Sequence, residues 1–150
     1  MPQKIILATD HAGFELKEAI KKHLIKNGYP VEDQGALTYE EKDDYPDFII
    51  PAAKKVAKEK ALGIIFGGSG QGETIAANKV RGIRAALFYG GDQKILRLSK
   101  EHNNANVLSL GARFLSENDA KKAVDLWLKA QFSNEERHQR RIKKIMDLEK

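Results

Sequence analysis

The sequence GGSGQGETIAAN, residues 67–78, follows the apolar run LGIIF of residues 62–66 and continues into a helix-forming segment. This order predicts a strand, a glycine loop and a helix in succession. Glycines let the backbone bend sharply and approach a ligand closely. The first turn of the following helix leaves N–H groups unpaired and carries partial positive charge. The stretch therefore predicts a site for an anion such as phosphate.

Glu73 lies in the first turn of this predicted helix, where a carboxylate would repel a bound anion if both faced the same point. A carboxylate suits enolisation better, because it can remove a proton from a carbon next to a carbonyl while neighbouring amides stabilise the oxyanion. An acidic residue in a first turn is equally often a capping or dipole partner. The stretch alone leaves both interpretations open.

Length and composition predict one domain, residues 1–150, with the hydrophobic and charged fractions of a soluble globular protein, 41% and 31%. The net charge of +5 favours anionic ligands, a class that includes nucleic acids, acidic membranes and sugar phosphates. The absence of cysteine excludes disulfides, cysteine-ligated zinc and a cysteine nucleophile, and agrees with a cytoplasmic location. No run approaches the roughly 18 apolar residues of a membrane span, so we expect no membrane association.

Apolar runs alternate with segments of helical periodicity along the chain. We predict strands at 4–9, 30–34, 62–67, 84–89 and 106–110. Helices are predicted over 14–27, from Pro46 to near Lys60 with an early interruption at Pro51, from the glycine loop to Val80, after Asp92, after Ser116 and from Asn134 onwards. Such alternation predicts an α/β fold with a parallel sheet covered by helices on both faces.

Helical spacing also predicts which side chains share a face. The apolar positions of the first helix are Leu16, Ala19, Ile20 and Leu24, and the helix after Asp92 carries Ile95, Leu98 and His102 on one face. The predicted buried side of the helix after Ser116 is Ala123, Leu126, Trp127 and Ala130, and the last helix has an apolar stripe of Ile142, Ile145 and Met146.

Several polar residues follow predicted strands directly. Asp10 and His11 follow the first strand, the loop ending at Glu73 follows the third, and Arg113 follows the fifth. Because ligands of parallel sheets bind outside the carboxyl ends of the strands, we expect these residues to gather in one site.

Other binding motifs are poorly matched. The glycine loop has neither the spacing and acidic partner of a dinucleotide fingerprint nor the Gly-Lys-Ser/Thr ending of a Walker loop. The histidines at 11, 23, 102 and 138 have no metal-ligand spacing on one element, which predicts no metal site. The basic run RHQRRIKK, residues 137–144, lacks interleaved aromatic residues, so we expect a solvated helix face and no nucleic acid. His138 is predicted to be a partly buried structural residue.

Four segments together resemble type B ribose-5-phosphate isomerase: ATDHAGFELK (8–17), GGSGQGETIAANKVRGIRAAL (67–87), EHNNAN (101–106) and ERHQRRIKKI (136–145). The resemblance covers nearly the whole chain, with the segments in the family's order and spacing. It implies a doubly wound, Rossmann-like sheet of five strands. It also implies a homodimer, with a tetramer left open, and cofactor-free interconversion of ribose 5-phosphate and ribulose 5-phosphate.

The resemblance also assigns roles. Many members of the family carry a cysteine base where this chain has Gly67, whereas a second group has a glutamate at the position of Glu73, and this chain resembles the second group. The implied catalytic residues are Glu73 as base, Ser69 as proton relay, and His102 and Asp10 in ring opening. The implied substrate-binding residues are His11, Tyr45, Gly68, Gly70, Gln71, Gly72, Asn103, Arg113, Arg137 and Arg141.

The order of elements adds one expectation about assembly. Glu73 follows a strand, whereas His102 ends a helix that leads into a strand. The two should therefore lie at opposite ends of the parallel strands, Glu73 at the carboxyl ends and His102 at the amino ends. We therefore expect His102, Asn103, Arg137 and Arg141 to complete the site of a neighbouring subunit. Two alternatives remain from the sequence: an isomerase of a six-carbon sugar phosphate (allose or galactose 6-phosphate) and a non-catalytic phosphate-binding module.

Overall fold

A computed structural model describes residues 2–150. The strands are β1 (Ile5–Thr9), β2 (Val31–Asp33), β3 (Leu62–Gly67), β4 (Ala85–Phe88) and β5 (Val107–Gly111). The helices are α1 (Phe14–Lys26), α2 (Pro46–Glu59), α3 (Gln71–Asn78), α4 (Lys94–Glu101), α5 (Glu117–Lys129) and α6 (Glu136–Asp147). Short 3-10 turns follow β1 at His11–Gly13 and β5 at Ala112–Phe114.

The strands form one parallel sheet in the order β2-β1-β3-β5-β4, which confirms the predicted fold class. From β1 the chain moves outwards to β2, returns past β1 to β3, and then builds the other half of the sheet. The connections after β1 and after β3 therefore leave in opposite directions. This divergence opens a crevice at the carboxyl ends of β1 and β3, where ligands of such sheets bind.

Two apolar clusters hold the helices to the sheet. On one face α1, α4 and α5 pack through side chains such as Leu24, Leu96 and Trp127. On the other face α2 and α3 pack through small and branched side chains, including Ile49, Val56 and Ala77. Strands β1 and β5 are buried throughout and β3 is buried after its first residue, because alternate side chains enter opposite clusters.

The prediction that Pro51 interrupts its helix is wrong, since α2 is continuous from Pro46 to Glu59. Pro51 is exposed and lies early in the helix, so its ring removes one backbone hydrogen bond on the solvent side. The opposite face of α2 packs against the sheet through Ala52, Ala53 and Val56, and this packing outweighs the local defect.

The face of α4 that carries Ile95, Leu98 and His102 is not the one that packs on the core. The buried residues are Leu96, Ser99 and Lys100, whereas Ile95 is exposed. The helix starts at Lys94, after Asp92 accepts a hydrogen bond from the Lys94 amide (2.9 Å). Helical spacing fits either face, and the packing of α4 on α5 selects the one that carries Leu96.

Helix α6 lies outside the two helix layers, near the amino ends of β4 and β5. A carboxylate oxygen of Glu149 accepts a hydrogen bond from the Gly82 amide (2.6 Å), and Met146 contacts the Arg84 guanidinium. At the other end of α6, His138 is buried. Within residues 2–150 no helix has the length and apolar character needed to cross a lipid bilayer.

Candidate active site

The glycine loop links β3 to α3 and has a fixed conformation. Gly70 has a φ of 79°, in the left-handed region that disfavours side chains. Its carbonyl accepts hydrogen bonds from the hydroxyls of Thr74 (2.7 Å) and Ser109 (2.9 Å). The Ser69 hydroxyl accepts a hydrogen bond from the Gln71 amide (3.2 Å). The loop therefore presents the first turn of α3 in a defined position.

Glu73 is 4% exposed, with its carboxyl group directly beside Gly67. A Cβ atom on residue 67 would stand 2.1 Å from the Glu73 Cδ atom, far inside van der Waals contact. Burial raises the pKa of the Glu73 carboxyl above its ordinary value; its own backbone amide opposes this rise, and the charge of Asp10 adds to it. A buried carboxyl with a raised pKa has the character of a proton-transfer group.

Asp10 and His11 come directly after β1 and face the same crevice. The Asp10 carboxylate is buried and accepts a hydrogen bond from the Ala12 amide (3.0 Å). Asp43 binds His11 twice: its Oδ1 lies 2.8 Å from the imidazole Nδ1 and accepts from the His11 amide at 3.1 Å. The hydrogen bond that the His11 ring donates to Asp43 is the main reason that the pKa of His11 is raised above its ordinary value.

Sequence analysis did not identify Asp43, because an aspartate in the acidic segment between Tyr39 and Tyr45 gives no signal of its own. The side chains of Asp10, His11 and Asp43 lie within 4.8 Å of one another, a spacing that a metal ion could bridge. Two N–H···O hydrogen bonds already occupy Asp43 Oδ1, so this arrangement has the chemistry of a carboxylate–imidazole pair.

Tyr45 and Arg113 cover the glycine loop. A Cβ atom on Gly72 would stand 2.5 Å from the Tyr45 hydroxyl, and one on Gly68 would stand 3.0 Å from the Arg113 guanidinium. Both glycines therefore let a larger side chain lie close above the loop. The Arg113 amide also donates to the Gly68 carbonyl (3.0 Å). The chain thus brings Asp10, His11, Tyr45, Arg113 and the loop residues together.

The remaining predicted residues lie at the other edge of the sheet. His102 ends α4, and Asn103 follows it shortly before β5 begins. The His102 ring stacks on His138, with 4.3 Å between the ring centroids. Arg137 and Arg141 are exposed on α6, and Arg137 pairs with Glu135 (3.0 Å).

His138 lies among these charges. Its Nδ1 forms a hydrogen bond with the Ser133 hydroxyl (2.9 Å). Burial lowers the pKa of His138, the charges of His102, Arg137 and Arg141 lower it further, and the charge of Glu135 opposes them. The neutral ring is therefore the favoured form of His138. His102, Arg137 and Arg141 thus form a second group of basic residues at the amino ends of the strands. The length of the sheet separates this group from Glu73, which lies at the carboxyl ends.

A family model described as ribose/galactose isomerase matches residues 5–145. The chain belongs to the ribose/galactose isomerase family. Within this family, ribose-5-phosphate isomerase B of Mycobacterium tuberculosis is 44% identical over 148 residues, covering 98% of this chain and 90% of that protein. A probable ribose-5-phosphate isomerase B of Mycoplasma genitalium is 45% identical over 152 residues, covering 100% of this chain and 98% of that protein.

Solved structures of family members have the same fold. The crystal structure of ribose-5-phosphate isomerase B from Mycoplasma genitalium, with bound ribulose-5-phosphate, superposes with a TM-score of 0.92 at 44% identity. The match covers 97% of this chain and 95% of that one. The enzyme from Clostridium thermocellum superposes with a TM-score of 0.91 at 44% identity, covering 97% of both chains.

Proposed function

We propose that this protein is an aldose–ketose isomerase that interconverts ribose 5-phosphate and ribulose 5-phosphate through an enediolate. The similarity of the whole chain to a family structure with bound ribulose-5-phosphate supports this substrate. The observation that carries the chemistry is the buried Glu73 carboxyl beside the glycine loop. A non-catalytic phosphate-binding module has no use for such a group next to an anion site.

Glu73 acts as the base in this proposal. It takes the proton from the second sugar carbon and returns it to the first, while amides of residues 70–73 stabilise the oxyanion. Ser69 transfers protons between the two oxygens. The proposal places the protein in the glutamate group of the family, because the Glu73 carboxyl fills the space that a side chain at residue 67 would occupy.

Ring opening precedes isomerisation, since the sugar phosphate is mostly a closed furanose. His102 donates a proton to the ring oxygen, and Asp10 accepts one from the first hydroxyl. Asn103 binds the sugar beside them. His11, Arg113, Arg137 and Arg141 bind the phosphate through charge-assisted hydrogen bonds, and Tyr45 packs against the sugar.

These roles require two subunits. His102, Asn103, Arg137 and Arg141 lie at the amino edge of the sheet, whereas Glu73 and Asp10 lie at the carboxyl edge. We propose a homodimer in which each subunit completes its neighbour's site, with a tetramer as a further possible assembly. A half-buried β4 and the exposed side chains of Ile75, Ile95 and Ile145 supply apolar surface for such a contact.

The proposed reaction needs no cofactor and no nucleic acid, because proton transfers between side chains and substrate complete it. A cytoplasmic location is part of the same proposal and agrees with the cysteine-free sequence.

One experiment tests the reaction and its substrate. The protein is incubated with ribose 5-phosphate, allose 6-phosphate or galactose 6-phosphate in deuterated water. We expect ketose formation from ribose 5-phosphate, with deuterium entering at the first carbon of the ketose and, through the reverse reaction, at the second carbon of the aldose. Faster turnover of a six-carbon sugar phosphate would mean that this sugar, and not ribose 5-phosphate, is the substrate. Absence of ketose formation from every sugar would overturn the proposal.

A further inference from the structure

The segment between β2 and α2 contributes one carboxylate to the crevice, that of Asp43. Its side chain is 9% exposed, although the neighbouring residues 40–42 and 44 are exposed. Its Oδ1 accepts hydrogen bonds from both the backbone amide and the ring Nδ1 of His11. Its Oδ2 is buried and has no hydrogen-bond partner within residues 2–150. This carboxylate is therefore shielded from water, and within residues 2–150 the hydrogen bonds that it accepts all come from His11.

The contact fixes the orientation of the imidazole. When Nδ1–H donates to Asp43, Nε2 is the nitrogen left to face a ligand, and within residues 2–150 it has no hydrogen-bond partner. The His11 ring also packs against Tyr39 at nearly a right angle, with 6.1 Å between centroids and an interplanar angle of 84°. Asp43 and Tyr39, two residues of the same segment, therefore both contact the ring.

We infer that Asp43 is a positioning residue: it orients His11 so that Nε2–H binds the substrate's phosphate, and it anchors the segment that carries Tyr45 over the glycine loop. This inference rests on the proposed function, in which His11 binds phosphate. Asp43 lies two residues before Tyr45. The two hydrogen bonds between Asp43 and His11 therefore connect the segment that covers the glycine loop to the histidine that binds phosphate in the proposed function.

The tautomer gives this arrangement a pH dependence. A neutral His11 that donates Nδ1–H to Asp43 presents a lone pair at Nε2, which repels phosphate, whereas the imidazolium presents a donor. The charged groups facing His11 are Asp43 from the β2–α2 segment, Asp10 from its own turn and Arg113 from the turn after β5. The two carboxylates favour the imidazolium and Arg113 opposes it. Asp43 is the strongest of the three because it also forms the hydrogen bond.

Asp43→Asn tests the inference without removing the contact. The asparagine Oδ1 can accept the same two hydrogen bonds, so the segment stays in place, but the charge is lost. We expect the His11 titration midpoint to fall. At pH values above both midpoints, inorganic phosphate should bind up to about tenfold more weakly for each unit of that fall. Below both midpoints the two proteins should bind phosphate equally, because both then carry the imidazolium.

Asp44→Asn is the matched control. It removes the same charge from the adjacent position, and the Asp44 side chain is exposed. The control should leave the His11 midpoint and the phosphate affinity unchanged. The His11 midpoint is measured by NMR on the full protein with isotope-labelled histidine, assigned with His11→Gln. Phosphate binding is measured by calorimetry on the same samples from pH 5.5 to 9.

Steady-state kinetics distinguish this inference from the proposed function. Asp43→Asn should raise KM for the sugar phosphate at pH 8 while kcat changes less than about threefold, because the charge acts on phosphate binding. An unchanged His11 midpoint, or an equal effect of Asp44→Asn, would overturn the inference even if the wild type is an isomerase. A wild type without isomerase activity would overturn the proposed function, and the NMR and calorimetric results would still decide the role of Asp43.

Discussion

At the scale of single residues, the position of the Glu73 carboxyl depends on the absence of a side chain at Gly67. The carboxyl occupies the space that a side chain at residue 67 would need. Burial in that space raises the pKa of the carboxyl. The same burial makes an ionised Glu73 unfavourable for folding, since water no longer solvates the charge. If Glu73 is the base that we propose, it therefore links catalysis to stability.

Glu73→Gln should reduce kcat for ribose 5-phosphate about 10² to 10⁴-fold, the usual effect of removing a general base. Phosphate affinity should stay similar or rise slightly, because a negative charge is also lost. The assay is ketose formation at saturating substrate, with phosphate as competitive inhibitor. Turnover near that of the wild type would exclude Glu73 as the base.

The same variant should be more stable than the wild type at pH 7. A raised folded-state pKa means that the folded protein holds its proton more tightly than the unfolded chain, so stability is lost as pH rises from about 4.5 through the folded pKa. The gain in Glu73→Gln should be about 1.4 kcal/mol per unit of that pKa difference at pH 7. It should diminish towards pH 4, as urea unfolding at both pH values would measure.

Gly67→Ala should displace the Glu73 carboxyl, because the new Cβ would stand 2.1 Å from Cδ. A misplacement of about 1 Å can cost about 10²-fold in rate, so we expect a loss of that order in kcat. Phosphate binding should change little, and calorimetry with inorganic phosphate provides this control. Wild-type kcat in Gly67→Ala would mean that the carboxyl position is unimportant.

At the scale of secondary-structure elements, a buried ion pair joins α1 to β2. Lys17 is fully buried; its Nζ donates to Asp33 Oδ2 (2.6 Å) and to the Ala36 carbonyl (2.7 Å). Lys21, one turn later, reaches the same Asp33 oxygen (3.1 Å) from a more exposed position. The two lysines hold the start of the segment that later carries Asp43 and Tyr45.

Lys17→Met should destabilise the protein by about 3 kcal/mol, because it leaves a buried carboxylate and a buried carbonyl with fewer partners. Lys21→Met should cost less than about 1 kcal/mol, as expected for a partly exposed pair. Chemical denaturation of the two variants measures the difference. Equal effects would show that burial of Lys17 adds nothing to the interaction with Asp33.

At the scale of the whole molecule, the sheet separates two groups of functional residues. Glu73, Asp10 and His11 lie at the carboxyl ends of the strands. His102 and the arginines of α6 lie at the amino ends. With the roles proposed above, a complete site would require a second copy, which is the basis of the proposed dimer.

Mixed dimers test this arrangement. Glu73→Gln and His102→Asn homodimers should each be nearly inactive, since every site lacks one group. Unfolding and refolding the two proteins together should restore activity, because each mixed dimer has one site with both defects and one with neither. A mixture enriched for mixed dimers by two affinity tags should reach about half the specific activity of the wild type. If isolated mixed dimers are as inactive as their parents, each site belongs to one chain.

The sequence by itself determined the fold class, and β3 was predicted with the bounds that the structure has, Leu62–Gly67. It also placed the glycine loop at the end of that strand, and Glu73 in the first turn of the helix that follows. These features are local: hydrophobic runs, glycines and helix signals act over a few neighbouring residues. The roles of the site residues and the dimer stay predictions.

Only the tertiary structure decided whether helix α2 is interrupted, which face of α4 is buried and which acidic residue contacts His11. It kept α2 continuous through Pro51 and turned α4 so that Leu96, not Ile95, enters the core. It also brought Asp43 to His11, 32 positions earlier in the chain. Helical periodicity cannot choose between two adjacent faces, and composition cannot identify one aspartate among several. Contacts between distant segments make these choices, because burial, charge pairing and excluded volume depend on which residues the fold brings together.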